Sequence, residues 1–271
     1  MSRNILQDII NKKEFRVAEL KKKRPLESIP LHMPDSMDYV NFKNKIEQNI
    51  QNNKLSIIAE IKKASPSAGV LVEKYNPVDI AKIYYKNNAT CLSVLTEEDF
   101  FLGKLSHIYK IKSLCNAMDP ISMHIPILCK DFFIDTYQVH LAKYYGADAI
   151  LIILAGVNEK LADDLYEEAL KLDMSVIVEV HTVEEAKKAL NFKEALIGIN
   201  NRNLKTLKTN INTTYDIHEV LTKHAGPLIS ESGIKTKEEL LEINNKTKIQ
   251  TFLIGESLLK NLDNNSIFSV L

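Results

Sequence analysis

At 271 residues, with 45% hydrophobic and 26% charged side chains, the chain carries enough apolar material for a sizeable core and reads as an ordinary globular protein. Lysine plus arginine and aspartate plus glutamate each total 35, so net charge gives no support for a nucleic-acid partner, although a local basic pocket for a phosphorylated ligand is compatible with it. No apolar run is long enough to span a membrane and the N-terminus lacks a secretory h-region, so a cytoplasmic chain with no membrane partner is expected.

The first element is a helix over residues 2 to 23. Ile5, Leu6, Ile9 and Ile10, then Phe15, Val17, Ala18 and Leu20, recur at roughly helical spacing. Lys21, Lys22, Lys23 and Arg24 crowd its C-terminus, where cations suit the helix dipole and a solvated end is expected, and Pro25 stops it. A linker with Pro30 and Pro34 leads into a second helix from about Met37 to Asn52. The three cysteines, Cys91, Cys115 and Cys129, are an odd number without metal-site spacing and fit buried, reduced thiols. The histidines are scattered, so no metal site is expected.

From Ser56 the rhythm changes. Short apolar runs cover Ser56–Ile61, Thr90–Leu95, Ile125–Cys129, Ala149–Ile153, Ser175–Val180, Ala195–Ile199, Gly226–Ile229 and Gln250–Ile254. Helical segments separate many of them: Pro77–Asn87, Thr136–Tyr145, Asn158–Leu172, Val183–Leu190, Asn212–Leu221 and Lys235–Asn244. The segment Ser113–His124 ahead of the third run reads as irregular and is expected at the stability face. Continuous hydrophobic strands each followed by a helix imply a parallel sheet buried on both faces. Eight such units make an α/β chain with one (β/α)8 TIM barrel over 55–271 and an N-terminal helical extension over 1–54 packed on it, the two forming one structural domain. A doubly wound open sheet would more typically place a Gly-rich turn after the first strand, where this chain has Ser65-Pro66-Ser67.

In such a barrel, chemistry sits at the C-terminal strand ends. The first run closes on Glu60 and Lys62, which share a face with Ile58 because side chains alternate along a strand. The third leads to Lys130, and the fifth holds Glu179 inside Val-Ile-Val-Glu-Val, with His181 two residues on and on the same face. The sixth leads to Asn200 and Arg202. Buried carboxylates and ammonium groups shift each other's pKa values, which is how an acid–base pair is set. Ser232-Gly233-Ile234 and Gly255-Glu256-Ser257 follow the last two strands, where backbone N–H groups can bind phosphate and glycine permits close approach.

These motifs carry a resemblance. The stretches 57–67 (IIAEIKKASPS), 93–97 (SVLTE), 128–132 (LCKDF), 178–181 (VEVH), 197–204 (IGINNRNL), 230–234 (SESGI) and 254–258 (IGESL) resemble indole-3-glycerol phosphate synthase of tryptophan biosynthesis. The resemblance covers nearly the whole chain. It implies conversion of 1-(2-carboxyphenylamino)-1-deoxyribulose 5-phosphate to indole-3-glycerol phosphate, CO2 and water, with no metal and no organic cofactor. It implies Lys130 as general acid, Glu179 as general base of the dehydration, Glu60 and Asn200 as orienting groups, and Lys62 at the substrate carboxylate with a possible share in proton transfer. Ser65 and Arg202 would help at the carboxylate or hold the charged network. Ser232, Gly233, Gly255 and Glu256 would cradle the phosphate, with Lys62 adding charge. Phe101, Leu151, Leu204, Leu207 and Leu253 would wall the anthranilate ring. As in the family, the N-terminal helices are expected across the barrel mouth, and one barrel is expected without the fused phosphoribosylanthranilate isomerase barrel of some relatives. The implied partner is the phosphorylated substrate, for a monomer or a chain in transient contact with other tryptophan-pathway enzymes. Competing readings are another sugar-phosphate barrel enzyme and a barrel that only binds a phosphorylated ligand. Within the first, an isomerase would need a Cys/Asp pair, yet Cys129 faces away from Lys130, and a Schiff-base aldolase would use Lys130.

Overall fold

The computed structural model describes residues 5–30, 41–118, 125–204, 206–262 and 266–271, with the side chains of 114–118 excluded. Eight parallel strands close on themselves: β1 Ser56–Ile61, β2 Cys91–Leu95, β3 Ile127–Lys130, β4 Ala149–Ile153, β5 Ser175–Val180, β6 Leu196–Asn200, β7 Leu228–Glu231 and β8 Thr251–Ile254. Each strand pairs with its sequence neighbours, and β1 pairs with β8 through Ser56↔Thr251 to Ala59↔Ile254, which removes both sheet edges. This is the (β/α)8 barrel that the run-and-helix rhythm predicts.

Strand alternation divides the apolar residues into two cores. Inside lie Ile58, Cys91, Leu128, Ala149, Leu151, Ile177, Leu196, Ile229 and Leu253. Outside, Ile57, Ala59, Leu92, Cys129, Ile152, Val178 and Ile199 pack under the helices. Those helices are α3 Pro77–Lys86, α4 Leu105–Met118, α5 Tyr137–Tyr144, α6 Glu159–Lys171, α7 Val183–Ala189, α8 Asn212–Leu221, α9 Lys237–Thr247 and α10 Glu256–Lys260. They follow α1 Ile5–Lys23 and α2 Phe42–Gln51. Side-chain oxygens of Asn76, Asn158, Thr182 and Thr236 cap α3, α6, α7 and α9, so the strand-to-helix loops end on residues that fix where each helix starts.

Three elements differ from the sequence reading. Residues 113–118, expected to be irregular, end α4, and 119–124 lie outside the described residues together with the expectation about their face. A short antiparallel hairpin, Ala64–Ser65 with Gly69–Val70, occupies the loop after β1. The two N-terminal helices go to opposite ends of the barrel rather than both to the mouth. Phe42 and Ile46 of α2 enter the inner core from below. There the Lys43 N–H donates to Ser175 Oγ at 3.1 Å, and Asn49 Nδ2 donates to Ser56 Oγ and Thr90 Oγ1 at 3.0 and 3.2 Å, all three acceptors at or next to strand N-termini. Residues 31–40, including Pro34 and the expected start of the second helix, lie outside the described residues.

Helix α1 lies at the other end. Val17 packs on Tyr137 and Leu141 of α5, and Tyr137 Oη donates to the Arg24 carbonyl at 2.8 Å. Lys21, Lys22 and Lys23 at the basic C-terminus of α1 are exposed, as expected, and two of the cations there also find surface partners: Lys21 Nζ meets Asp135 Oδ2 at 2.5 Å, and the Arg24 guanidinium sits 4.0 Å from the Tyr144 ring centroid. Lys13 is buried and pairs with Asp131 at 2.6 Å. Arg16 clasps Asp99 at 2.6 and 2.9 Å and also meets Glu98, both in the loop after β2.

Candidate active site

The inward positions at the C-terminal strand ends are polar. Glu60 of β1, Lys130 of β3, Glu179 of β5, Asn200 of β6 and Glu231 of β7 face one another above the inner core. Lys130 is their hub. Its Nζ donates to Glu231 Oε2 at 2.8 Å and lies 3.5 Å from Glu179 Oε2 and 4.0 Å from Glu60 Oε2. Burial alone would drive an ammonium toward its neutral form, but the three carboxylates outweigh it and raise the Lys130 pKa above its ordinary value. Burial likewise penalises Glu60, whose pKa is nevertheless lowered by Lys62, Lys130 and Arg202. Lys62 donates to Glu60 Oε1, at the edge of β8.

Glu179 and Glu231 are pushed apart in acidity. Glu179 lies well below the usual carboxylate range, because Lys130, His181 and Asn200 overcome its burial. Burial pushes Glu231 up to about 7, with Lys130 opposing and Glu179 adding to the rise. Two inward glycines make room for this cluster. A Cβ on Gly198 would sit 2.0 Å from Glu231 Oε1, and one on Gly255 would sit 2.3 Å from Glu60 Oε1 and 3.0 Å from Lys62 Nζ.

Two lobes open from the cluster. The apolar lobe, about 130 Å³, is walled by Phe101, Phe132, Leu151, Ile153, Leu204 and Leu207, with Ile5, Leu6 and Ile9 of α1 as its roof. The polar lobe, about 320 Å³, is bounded by Ser232, Gly233, Gly255, Glu256, Lys235 and Lys260. Glu60, Lys62, Arg202 and Ser232 line both, so one site runs from an aromatic-sized slot to an open polar cleft. Ser232 and Gly233 have φ of 67° and 82°, a left-handed turn at the end of β7. Arg202 ties two loops across the mouth: its Nη1 donates to the Leu207 carbonyl at 2.9 Å and to Ser67 Oγ at 3.2 Å. Ser65 Oγ accepts from the Ala68 N–H at 3.2 Å and shapes the hairpin beneath it.

All sixteen residues singled out from the sequence line one of these lobes. Leu253, expected against the ring, lines the polar lobe instead. The sequence reading did not single out Glu231, Phe132, Asp131 or the three α1 side chains. Glu231 carries a signal in the sequence, since it stands one residue before the Ser-Gly turn expected at the phosphate. Glu97 is a further residue not singled out. It is buried and accepts from the backbone N–H groups of Asp99, Phe100 and Phe101 at 2.9, 2.7 and 3.1 Å, which sets the turn presenting Phe101. Cys129 lies in the outer core beside Thr96 and does not reach the site. Among the described residues, no group of three or more His, Cys, Asp or Glu side chains is placed to hold a metal ion.

An ammonium held among three carboxylates inside a closed barrel, next to an apolar slot and a basic-rimmed cleft, defines an enzyme of acid–base chemistry on a small anionic substrate. The particular family follows from comparison with known proteins. The family model for indole-3-glycerol phosphate synthase matches residues 6–270, and the chain belongs to that family. Indole-3-glycerol phosphate synthase of Clostridium acetobutylicum is 40% identical over 260 residues, covering 96% of this chain and 94% of its own length. The enzyme of the same name from Burkholderia lata is 38% identical over 257 residues, covering 95% and 94%. Among solved structures, the tryptophan synthase alpha chain of Legionella pneumophila shares the fold at 13% identity, with a TM-score of 0.59 over 82% of this chain and 87% of its own. Among the described residues, no helix is long and apolar enough to cross a membrane.

Proposed function

We propose that the chain closes, decarboxylates and dehydrates 1-(2-carboxyphenylamino)-1-deoxyribulose 5-phosphate to indole-3-glycerol phosphate, CO2 and water. The observation that carries this reading is the position of Lys130 in the apolar lobe among Glu179, Glu231 and Glu60, the last of which lines both lobes. The anthranilate ring fits the apolar lobe and the phosphate fits the polar one, so the carbonyl between them falls at Lys130. Lys130 protonates that oxygen as the ring closes, and the resulting hydroxyl later departs as water on taking a second proton, for which Lys62 beside Glu60 is the other ammonium at hand. Glu179 takes the proton released in the dehydration, as a carboxylate held ionised can. Glu60 and Asn200 orient Lys130 and the substrate hydroxyls. Lys62, with Ser65 and Arg202 close by, meets the carboxylate that leaves as CO2. Ser232, Gly233, Gly255 and Glu256 present the turns that cradle the phosphate, the last two through backbone N–H groups.

A lysine kept protonated by three carboxylates is in the wrong form to attack a carbonyl, which favours a general acid over a Schiff base. The reading requires no metal or organic cofactor. It brings with it a cytoplasmic setting and a chain that works as a monomer or in transient contact with other tryptophan-pathway enzymes. The test is a single-turnover assay following indoleglycerol phosphate fluorescence. Lys130→Ala and Glu179→Gln should each lower kcat by at least about a hundredfold with the fold intact. Near-parental turnover in either variant overturns the role given to that residue, and absence of product with the parent chain overturns the reading.

A further inference from the structure

His181 is the one imidazole in contact with the central cluster among the described residues, and the mechanism above does not use it. It follows β5 directly, and its side chain is 8% exposed. Nε2 lies 3.2 Å from Glu179 Oε1 and Nδ1 lies 3.5 Å from Glu185 Oε2, so a carboxylate stands at each edge of the ring. Neither nitrogen has a hydrogen bond of good geometry, so the two carboxylates hold the ring through charge when it is protonated. Glu185 is fixed independently. It is the third residue of α7, its N–H donates to the Thr182 cap at 3.2 Å, and its Oε2 accepts the His181 backbone N–H at 2.7 Å.

The consequence concerns the two oxygens of Glu179. Lys130 approaches Oε2 at 3.5 Å but gives its 2.8 Å hydrogen bond to Glu231, whereas His181 approaches Oε1. The other groups facing this pair are Asn200 from β6, Glu231 from β7 and Glu185 from α7, with Glu60 from β1 standing beyond Lys130. The Leu154–Gly156 turn packed against β5 and α7 carries no ionisable side chain. The Glu159–Lys188 pair between α6 and α7 is solvated.

We propose that His181 is a positioning residue: as an imidazolium locked between Glu179 and Glu185, it holds the Glu179 carboxylate in place and ionised while Lys130 moves to the substrate. This rests on the role given to Glu179 above. Burial would depress the imidazole, but the two carboxylates outweigh it and carry its pKa up to about 9. The charge is therefore present across the neutral range and lost on the alkaline side, well below Lys130.

The test combines ring NMR with kinetics. With His Cε1 labelled with ¹³C in the full chain, the His181 resonance should stay in its protonated position through pH 8 and titrate near 9. The alkaline fall of kcat should share that midpoint. Glu185→Gln should move both midpoints down together by about one unit, so that kcat between them drops up to about tenfold while KM changes little. His181→Asn should leave a low kcat without that limb. A ring midpoint near 6.5, or a Glu185→Gln shift in the ring but not in kcat, overturns the proposal. So does a kcat loss that is uniform with pH. The NMR arm needs no turnover, so it still judges the charge pairing if the proposed reaction fails.

Discussion

The pair between Lys13 of α1 and Asp131, the residue after Lys130, offers the sharpest perturbation. Both side chains are 8% exposed and their charged atoms are 2.6 Å apart, so Lys13→Met strands a buried carboxylate while keeping most of the packing of the lysine stem. Removing one partner of such a pair costs about 3–5 kcal/mol. Asp131 keeps two other donors, Thr96 Oγ1 at 2.7 Å and the Phe132 N–H at 2.8 Å, so the lower end, about 3 kcal/mol, is expected. For a chain of this size that corresponds to a fall in Tm of about 6–12 °C in thermal denaturation followed by circular dichroism. Asp131→Asn in the same chain removes the stranded charge and should restore most of the loss. Because α1 also supplies Ile5, Leu6 and Ile9 to the roof of the apolar lobe, Lys13→Met should raise KM more than it lowers kcat. A Tm change below about 1 °C, or strictly additive single and double mutants, would refute the claim that this pair seats the helix.

Two further outcomes follow from the interior of the barrel. Gly198→Ala would put a methyl 2.0 Å from Glu231 Oε1 and force that carboxyl off Lys130; overpacking of about 1–3 kcal/mol and a kcat loss approaching about a hundredfold are expected, checked by denaturation and steady-state rates. Glu231 titrates in the folded chain near 7, above its ordinary 4.5, so its contribution to stability is complete below 4.5 and lost as pH rises through 7. Gln cannot titrate, so the Tm of Glu231→Gln relative to the parent should climb between pH 5 and pH 8; a difference that stays flat or falls would reverse the assigned direction.

The barrel and most of its polar rim were legible because both follow from a period of two. Once a run such as Val-Ile-Val-Glu-Val is taken as a strand, alternation fixes the facing of each residue, and Glu60, Lys130, Glu179 and Asn200 fall inward together. The same rule separates Cys129 from Lys130, as the structure has it. Glu231 obeys it too. Its importance was hidden because its partners lie on β3 and β5, and the gap that admits it is the missing side chain of Gly198 on β6. Alternation says which way a residue points. It cannot say which neighbour stands close enough to change its charge.

Helices lose more in translation. The stripes on α1 and α2 announce a buried face, yet an apolar stripe carries no address. Leu6 and Ile9 roof the mouth, while Phe42 and Ile46 plug the base, and nothing in their spacing distinguishes the two. What directs α1 to the mouth is a set of charges scattered along its length: Lys13 to Asp131, Arg16 to Asp99 and Lys21 to Asp135. Each acceptor lies just after a barrel strand and more than eighty residues away in sequence, so the match exists only once the strands are in order. Burying the Lys13–Asp131 pair is costly, which makes it a poor source of stability and a good source of specificity. By the same physics, an apolar replacement of both partners should cost little Tm in thermal denaturation, while Arg16–Asp99 and Lys21–Asp135 still hold α1 at the mouth.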